Sequence, residues 1–362
     1  MKTHFILLTV LLSVLFQQVV FANKLKEEVS KTISEKYSVD ASTRLKLQNR
    51  YGKVHVNTWN KNEITVEIVM KSWASSKEKA QKQLDRLGVV YGKSGSTVSF
   101  ETTINDKESD SWFDWDSWWN NDEKGFEINY TVYMPMENAL DLSNKYGAVY
   151  LADFKGDLAL NIKYGSLQAN RIEGKNATIE MGYSNSNIPY FANGSIVSKY
   201  GNLKAGEIGT AKIDTKYGNC EINKAKQVEV DAKYGNTDIK EVETLTGSIG
   251  YGDFDIGELH KKLVVTVRYG NGVNVRKVGK NFEQIDIDSQ YAACKLGFEK
   301  SAAFSFKVDT KYGGLNSRLA NMNFTKEIDR NTEEYYEGTC NGGKGATVNI
   351  TSKYGSVKFT EN

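Results

Sequence analysis

The chain has 362 residues, 40% of them hydrophobic and 25% charged, with 31 Gly, only 2 Pro, 20 Tyr and 6 Trp, a composition that excludes a disordered or collagen-like chain. Lys plus Arg at 47 against Asp plus Glu at 45 leave a net charge of +2, so no bulk field draws the protein to nucleic acid or membrane. Any electrostatic recognition must come from local arrangement, and tyrosine is the excess that needs a cause.

Met1-Lys2-Thr3-His4 carries one positive charge, Phe5 to Phe21 is almost continuously apolar, and Val20-Phe21-Ala22 supplies a cleavage signal. Residues 1–22 therefore read as a signal peptide, with Asn23 as the mature terminus. An uncleaved anchor competes, but the apolar stretch is short for a bilayer span. No later segment approaches the roughly 20 apolar residues a span needs. The mature chain is expected to be exported, to periplasm, cell surface or medium, with no transmembrane segment.

From Asn23 to Asp40, Leu25, Val29, Ile33 and Tyr37 recur at a spacing of four, which predicts an amphipathic helix or a strand-leading cap over the first coil. Arg44 to Met70 alternates as strands, Ser75 to Leu87 predicts a helix with Ala80, Leu84 and Leu87 on one face, and Val98–Ile104 and Ile128–Met134 resume strands. Between them, Asp106 to Lys124 places Trp112, Trp115, Trp118 and Trp119 among acids with no strand or helix period. This predicts a long loop, either an aromatic platform for a sugar or protein partner or a flap folded back on the body. Residues 23–145 thus form an irregular N-terminal cap and first coils.

Residues 146–362 are regular. Tyrosines fall at 146, 164, 183, 200, 217, 234, 251, 269, 291, 312 and 354, with gaps of 17 to 22 and a final gap of 42, twice 21. An earlier member, Tyr51, opens the series. Within one unit, Cys220, Ile222, Ala225, Val228, Val230 and Ala232 give two short alternating runs around a turn, and the same slots recur in neighbouring units. One such unit cannot bury enough to fold alone, whereas stacked units fuse these slots into one core. The expected fold is all-β, a single-stranded parallel β-helix or β-solenoid with coils of about 17–22 residues, right-handed by the usual sense of parallel crossovers. A leucine-rich horseshoe lacks its signature here, and a left-handed hexapeptide helix would need equal sixths.

The column Tyr146, Tyr164, Tyr183, Tyr200, Tyr217, Tyr234, Tyr251, Tyr269, Tyr291, Tyr312 and Tyr354 is expected to stack as a structural ladder. Glycine follows ten of the twelve column tyrosines, Ser184 and Ala292 being the exceptions, and is expected to supply the positive φ of a corner. Asn202, Asn219, Asn236, Asp253 and Asn271 then follow as groups able to bond between coils. Cys220 and Cys294 share a core slot four coils apart, about 19 Å, too far for a disulfide. Cys340 lies in the polar segment Glu337 to Gly345, free or bridged to Cys294.

The residue before each tyrosine is Lys145, Lys163, Lys199, Lys216, Lys233, Arg268, Lys311 or Lys353, plus Arg50, interrupted at Gly182, Gly250 and Gln290. Facing outward, these cations form a ridge at about 4.8 Å steps that can follow an anionic polymer, or they serve to keep the sheet soluble. No nucleophile elbow, metal-spaced cluster or phosphate loop is present, and coils of 17 residues leave no walls for a catalytic cleft. No catalytic residue, metal or other cofactor is expected.

The leader, Asn49-Arg50-Tyr51-Gly52-Lys53-Val54 with Thr58-Trp59-Asn60-Lys61-Asn62 after it, the Lys-Glu-Lys-Ala segment and the Lys-Tyr-Gly ladder resemble exported bacterial proteins of the DUF4097 "putative adhesin" type, common in Bacteroidetes. The resemblance covers essentially the whole mature chain and implies a β-solenoid in the cell envelope. The function expected is a non-enzymatic, adhesin-like interaction protein binding a polysaccharide or an envelope protein along a solenoid flank, and not nucleic acid. The alternatives are a carbohydrate-active β-helix enzyme and a periplasmic envelope-stress signalling partner.

Overall fold

A computed structural model of the protein describes residues 26–105, 125–343 and 345–362. The leader and Trp112, Trp115, Trp118 and Trp119 lie outside the described residues.

The regular coils show why the sequence folds as it does. In the strand Leu203–Lys216, Leu203, Ala205, Ile208, Ala211 and Ile213 are buried while Lys204, Glu207, Thr210 and Lys212 are exposed. The buried positions step by two, except from Ala205 to Ile208 and from Ile208 to Ala211, where a step of three marks a bend. Pairing with the next coil skips Gly206 and Gly209 at those bends and otherwise runs in parallel register, Leu203 to Cys220, Ile208 to Ala225 and Lys216 to Lys233. The strands Asn185–Lys199, Cys220–Lys233, Thr237–Gly250 and Phe254–Arg268 repeat the plan, so each coil buries its inner side chains against the equivalents above and below. One continuous core runs from Val39 to Phe359. The fold is a β-solenoid, with 27 strands and one helix among the described residues.

The chain does not enter the stack in sequence order. The strand Thr97–Ile104 pairs with Arg44–Arg50, which pairs on its other edge with Ala139–Lys145 and through it with Leu158–Lys163. In the adjoining row, Gly125–Pro135 pairs with Val54–Trp59, which pairs with Ala148–Leu151. Thr97–Ile104 and Gly125–Pro135 therefore flank the corner that, one coil on, holds Tyr51-Gly52. Phe126 sets its edge against Tyr51 there, with centroids 5.2 Å apart.

The helix or cap expected at the N-terminus is instead a strand, Glu27–Ser38, antiparallel to Glu63–Ala74. A spacing of four fits a period of two as well as one of 3.6, and Val29, Ile33 and Tyr37 pack on the core from one strand face. The open edge of Glu63–Ala74 decided between the two periods. The expected helix is present as Lys77–Leu84, capped by Ser76, whose side chain accepts from the Lys79 amide, with Ala80 and Leu84 buried. It rests on Glu27–Ser38 and Glu63–Ala74.

The C-terminal end departs from the simple periodic reading. The strand Ala346–Lys353 lies between Gln284–Gln290 and Phe304–Lys311, pairing with both. The gap of 42 is thus an excursion: the chain builds the outer coil at Tyr312, turns back through the hairpin Met322–Arg330 and Glu333–Cys340, and threads its last coil inside. Cys340 consequently ends a strand and is only 3% exposed, rather than sitting in a polar loop. All three cysteines are free and buried. Burial pushes the Cys220 thiol up to about 12 and that of Cys294 to about 11, so both remain protonated at neutral pH.

Candidate functional site: a tyrosine and lysine face

All twelve column tyrosines adopt a left-handed backbone, with φ between 52° and 62°. The positive φ expected of the glycine therefore belongs to the tyrosine before it. The glycine serves close approach instead: a Cβ on Gly218 would lie 2.0 Å from the Gly201 carbonyl oxygen, and one on Gly235 2.0 Å from that of Gly218. The break in alternation accordingly falls at the tyrosine and turns its ring outward.

An L-residue in this conformation is disfavoured by about 1–2 kcal/mol. Two contacts offset that cost. Each ring stacks on the next, eleven steps of 4.6–5.2 Å with interplanar angles of 2–16° from Tyr51 through Tyr291 and Tyr354 to Tyr312. Each tyrosine amide except that of Tyr312, which donates to Thr332 in the hairpin turn, also donates to the neighbouring coil, as Tyr200 N–H does to the Lys216 carbonyl and Tyr217 N–H to that of Lys233, at 2.8 and 3.0 Å. Tyr217→Ala, which keeps the strained backbone and loses both stacks, should lower stability by about 2–4 kcal/mol, whereas Tyr217→Gly, which relieves the strain, should cost about 1–2 kcal/mol less than that. Urea unfolding of the two variants checks the order, and equal losses would mean that the backbone is not strained.

From Tyr164 onward the ten rings are 39–53% exposed, so the ladder is a surface stripe on the order of 50 Å long. Because the rings stack face to face, interior members offer solvent their edges and hydroxyls. The faces that a sugar ring would stack on are occupied by neighbouring tyrosines.

On one flank the polar residues after each corner link the coils: Asn185, Asn202 and Asn219 accept through Oδ1 from the amides of Asn202, Asn219 and Asn236, at 2.8, 2.9 and 3.0 Å. On the other flank, Arg50, Lys145, Lys163, Lys199, Lys216, Lys233, Arg268, Lys311 and Lys353 are exposed or half-exposed. Strand pairing sets Arg50 beside Lys145 and Lys163, and Lys199 beside Lys216 and Lys233. The Lys145 ammonium lies 4.7 Å from the Tyr146 ring centre and 5.7 Å from that of Tyr164, and Lys233 lies 5.3 Å from Tyr234, so the cations lean over the stripe. Arg268 is paired with Asp288 at 2.8 Å, Lys311 with Glu333 at 2.7 Å, and Lys216 lies 4.0 Å from Asp214. Among the described residues the other six cations of the row have no carboxylate within ion-pair distance.

A hollow of about 470 Å³ elsewhere on the solenoid is lined by Glu229, Asp286, Asp288 and Asn349, but its acids are occupied. Glu229 binds Lys212 at 2.7 Å, Asp288 binds Arg268, and Asp286 accepts from Asn349 at 2.8 Å. Among the described residues no group of three or more His, Cys, Asp or Glu side chains could hold a metal ion, and no helix is long and apolar enough to cross a membrane. His260 Nε2 lies 3.0 Å from Glu241, and His55 stacks on Tyr150.

No family model matches the chain, and no curated protein matches it. Among solved structures it is similar to a "putative adhesin" from Parabacteroides merdae, with 11% identity over 91% of this chain and 96% of that one and a TM-score of 0.31. It is also similar to a "putative lipid binding protein" from Parabacteroides distasonis, at 7% identity over 91% and 96% with a TM-score of 0.32. A third likeness is to a "putative cell adhesion protein" from Clostridium sporogenes, at 11% identity over 92% and 100% with a TM-score of 0.20.

What sequence reasoning missed is the row two residues before the cations. There Gln48, Ser143 and Asn161 flank Arg50, Lys145 and Lys163, whereas Asp214 and Asp231 flank Lys216 and Lys233. These residues stand three before each ladder tyrosine in the sequence, but they have meaning only once register places them side by side.

Proposed function

We propose that the protein is a non-enzymatic, adhesin-like interaction protein of the bacterial cell envelope, exported by its leader, of the DUF4097 type that its sequence resembles. In this reading residues 23–145 cap the array, residues 146–362 carry most of it, and the partner is an anionic polysaccharide lying along the tyrosine and lysine face. The observation that carries the reading is the cation row in register beside the half-exposed tyrosine stripe, six of its nine members without a carboxylate partner among the described residues. Cations held at about 4.8 Å steps are well inside the screening length of about 8 Å at physiological salt, so they repel one another until an anion is shared between them. The occupied acids of the hollow give no support to a carbohydrate-active enzyme.

Retention on immobilised alginate, a polyuronate, tests this against neutral dextran. The protein should be held by alginate at about 50 mM NaCl, released by about 500 mM, and not held by dextran at either. Passage through alginate without delay at low salt would overturn the reading.

A further inference from the structure

The cation row is not uniform along the solenoid. Its middle block, Lys199, Lys216 and Lys233, has Asp214 and Asp231 in the adjoining row, and Lys216 already lies 4.0 Å from Asp214. The N-terminal block, Arg50, Lys145 and Lys163, has Gln48, Ser143 and Asn161 there, with Glu101 and Glu180 next to them at the two ends of that stretch and no ion pair to the three cations among the described residues. The three cations with Gln48, Ser143 and Asn161 line a single hollow of about 240 Å³, into which one carboxylate, Glu101, also opens. Three basic residues thus border one depression beside two amides and a hydroxyl.

The base of that depression is fixed. Asn49 and Asn144 are 2% and 1% exposed, and Asn49 Nδ2 donates to Asn144 Oδ1 at 3.1 Å and to the Ile128 carbonyl at 3.1 Å. Asn144 Nδ2 donates to the carbonyls of Gly52 and Gly147 at 3.1 and 3.0 Å, and Asn49 Oδ1 accepts from Thr102. The residues carrying Arg50 and Lys145 immediately follow these two buried amides, so the strand ends that present the cations are held in place before a ligand arrives.

We infer that this hollow is the principal contact site of the solenoid for an acidic sugar unit, and the inference rests on the polysaccharide reading above. Arg50, Lys145 and Lys163 meet the carboxylate of a uronate or the sulfate of a sulfated sugar, and Gln48, Ser143 and Asn161 offer donors and acceptors to its hydroxyls. The neutral polar row favours an acidic sugar over a bare polyanion, because sugar hydroxyls can donate to its carbonyl oxygens as well as accept from its N–H and O–H groups, whereas a polyanion can only accept. The remaining cations of the ladder extend the contact along the polymer and add avidity.

The test compares R50Q/K145Q/K163Q with K199Q/K216Q/K233Q for binding to hexameric oligogalacturonate, with dextran sulfate and polyphosphate as further arms. All six residues are exposed or half-exposed, and a thermal melt verifies folding of each variant. A second variant, Asn161→Asp, leaves every cation in place and adds one acid at the hollow. The N-terminal triple change should weaken oligogalacturonate binding by about ten-fold or more and Asn161→Asp by about three-fold or more, with the middle triple change costing less than about three-fold. Equal losses from the two triples, or a larger loss from the middle one, overturn the site while leaving the polysaccharide reading intact. Polyphosphate bound as tightly as oligogalacturonate, with the same dependence on the variants, overturns the assignment to a sugar. Absence of binding by the unmodified protein to both acidic glycans overturns site and reading together.

Discussion

Gly218→Ala should be among the most damaging single-methyl changes in the protein, lowering stability by about 3 kcal/mol or more. The added Cβ would sit 2.0 Å from the carbonyl oxygen of Gly201 and 2.8 Å from its carbon, both backbone atoms of the adjacent coil. They cannot yield without pulling apart the row of hydrogen bonds that joins Leu203–Lys216 to Cys220–Lys233. The two natural exceptions in this column have local remedies. At Ser184 the hydroxyl accepts from the Gly165 amide at 3.1 Å. At Ala292 the corner is opened, the Gly270 amide reaching the Tyr291 carbonyl at 3.4 Å and the Ala293 amide that of Asn271 at 3.2 Å. Gly218 has neither remedy. A shift in the urea midpoint, with hydrogen exchange locating the loosened coils, measures the effect, since a repeat array need not unfold in one step. A loss below about 1 kcal/mol would show that coils dilate easily and that the glycine column has another cause.

A chain ended at Gly345 should lose the order of residues 304–340 while the central coils stay protected. Ala346–Lys353 is the layer between Gln284–Gln290 and Phe304–Lys311, and Val357–Glu361 pairs with both Ala293–Phe298 and Leu315–Ser317. Val348, Ile350, Val357 and Phe359 are buried, and at about 2 kcal/mol each their removal forfeits on the order of 8 kcal/mol while exposing two sheet edges. In hydrogen exchange, amides of Phe304–Lys311 and Glu333–Cys340 should approach the rate of an unfolded chain, with those of Leu203–Lys216 unchanged. Protection persisting in Phe304–Lys311 would mean that the outer coil docks directly on Gln284–Gln290, and that the threaded coil is dispensable.

The tyrosine period made the solenoid legible from sequence, because a coil that must meet its neighbours at a fixed pitch repeats its inward residues at nearly fixed intervals. The helix Lys77–Leu84 was legible for a similarly local reason, one apolar face carrying Ala80 and Leu84. The strand Glu27–Ser38 was not, because the spacing of Val29, Ile33 and Tyr37 serves two periods and only a distant edge chose between them. The corner was half legible. Tyr-Gly announces a positive φ, and intrinsic preference assigns it to glycine. Stacked rings and the steric demand of the neighbouring carbonyl move it to tyrosine.

The same division holds for the candidate site. The cations before each tyrosine could be found from sequence, since their positions follow from the period. That Arg50 shares a hollow with Lys145 and Lys163 follows from strand pairing across about a hundred residues, because the chain between them leaves the stack and returns. By itself the sequence determined the repeat, the inward slots, the tyrosine column and the cation row, all properties of local periodicity. Tertiary structure alone decided the order of the last two coils, the half-exposed setting of the rings and the lack, among the described residues, of an ion pair to the first three cations. Those depend on hydrogen-bond register between segments far apart in the chain, and no local pattern encodes it.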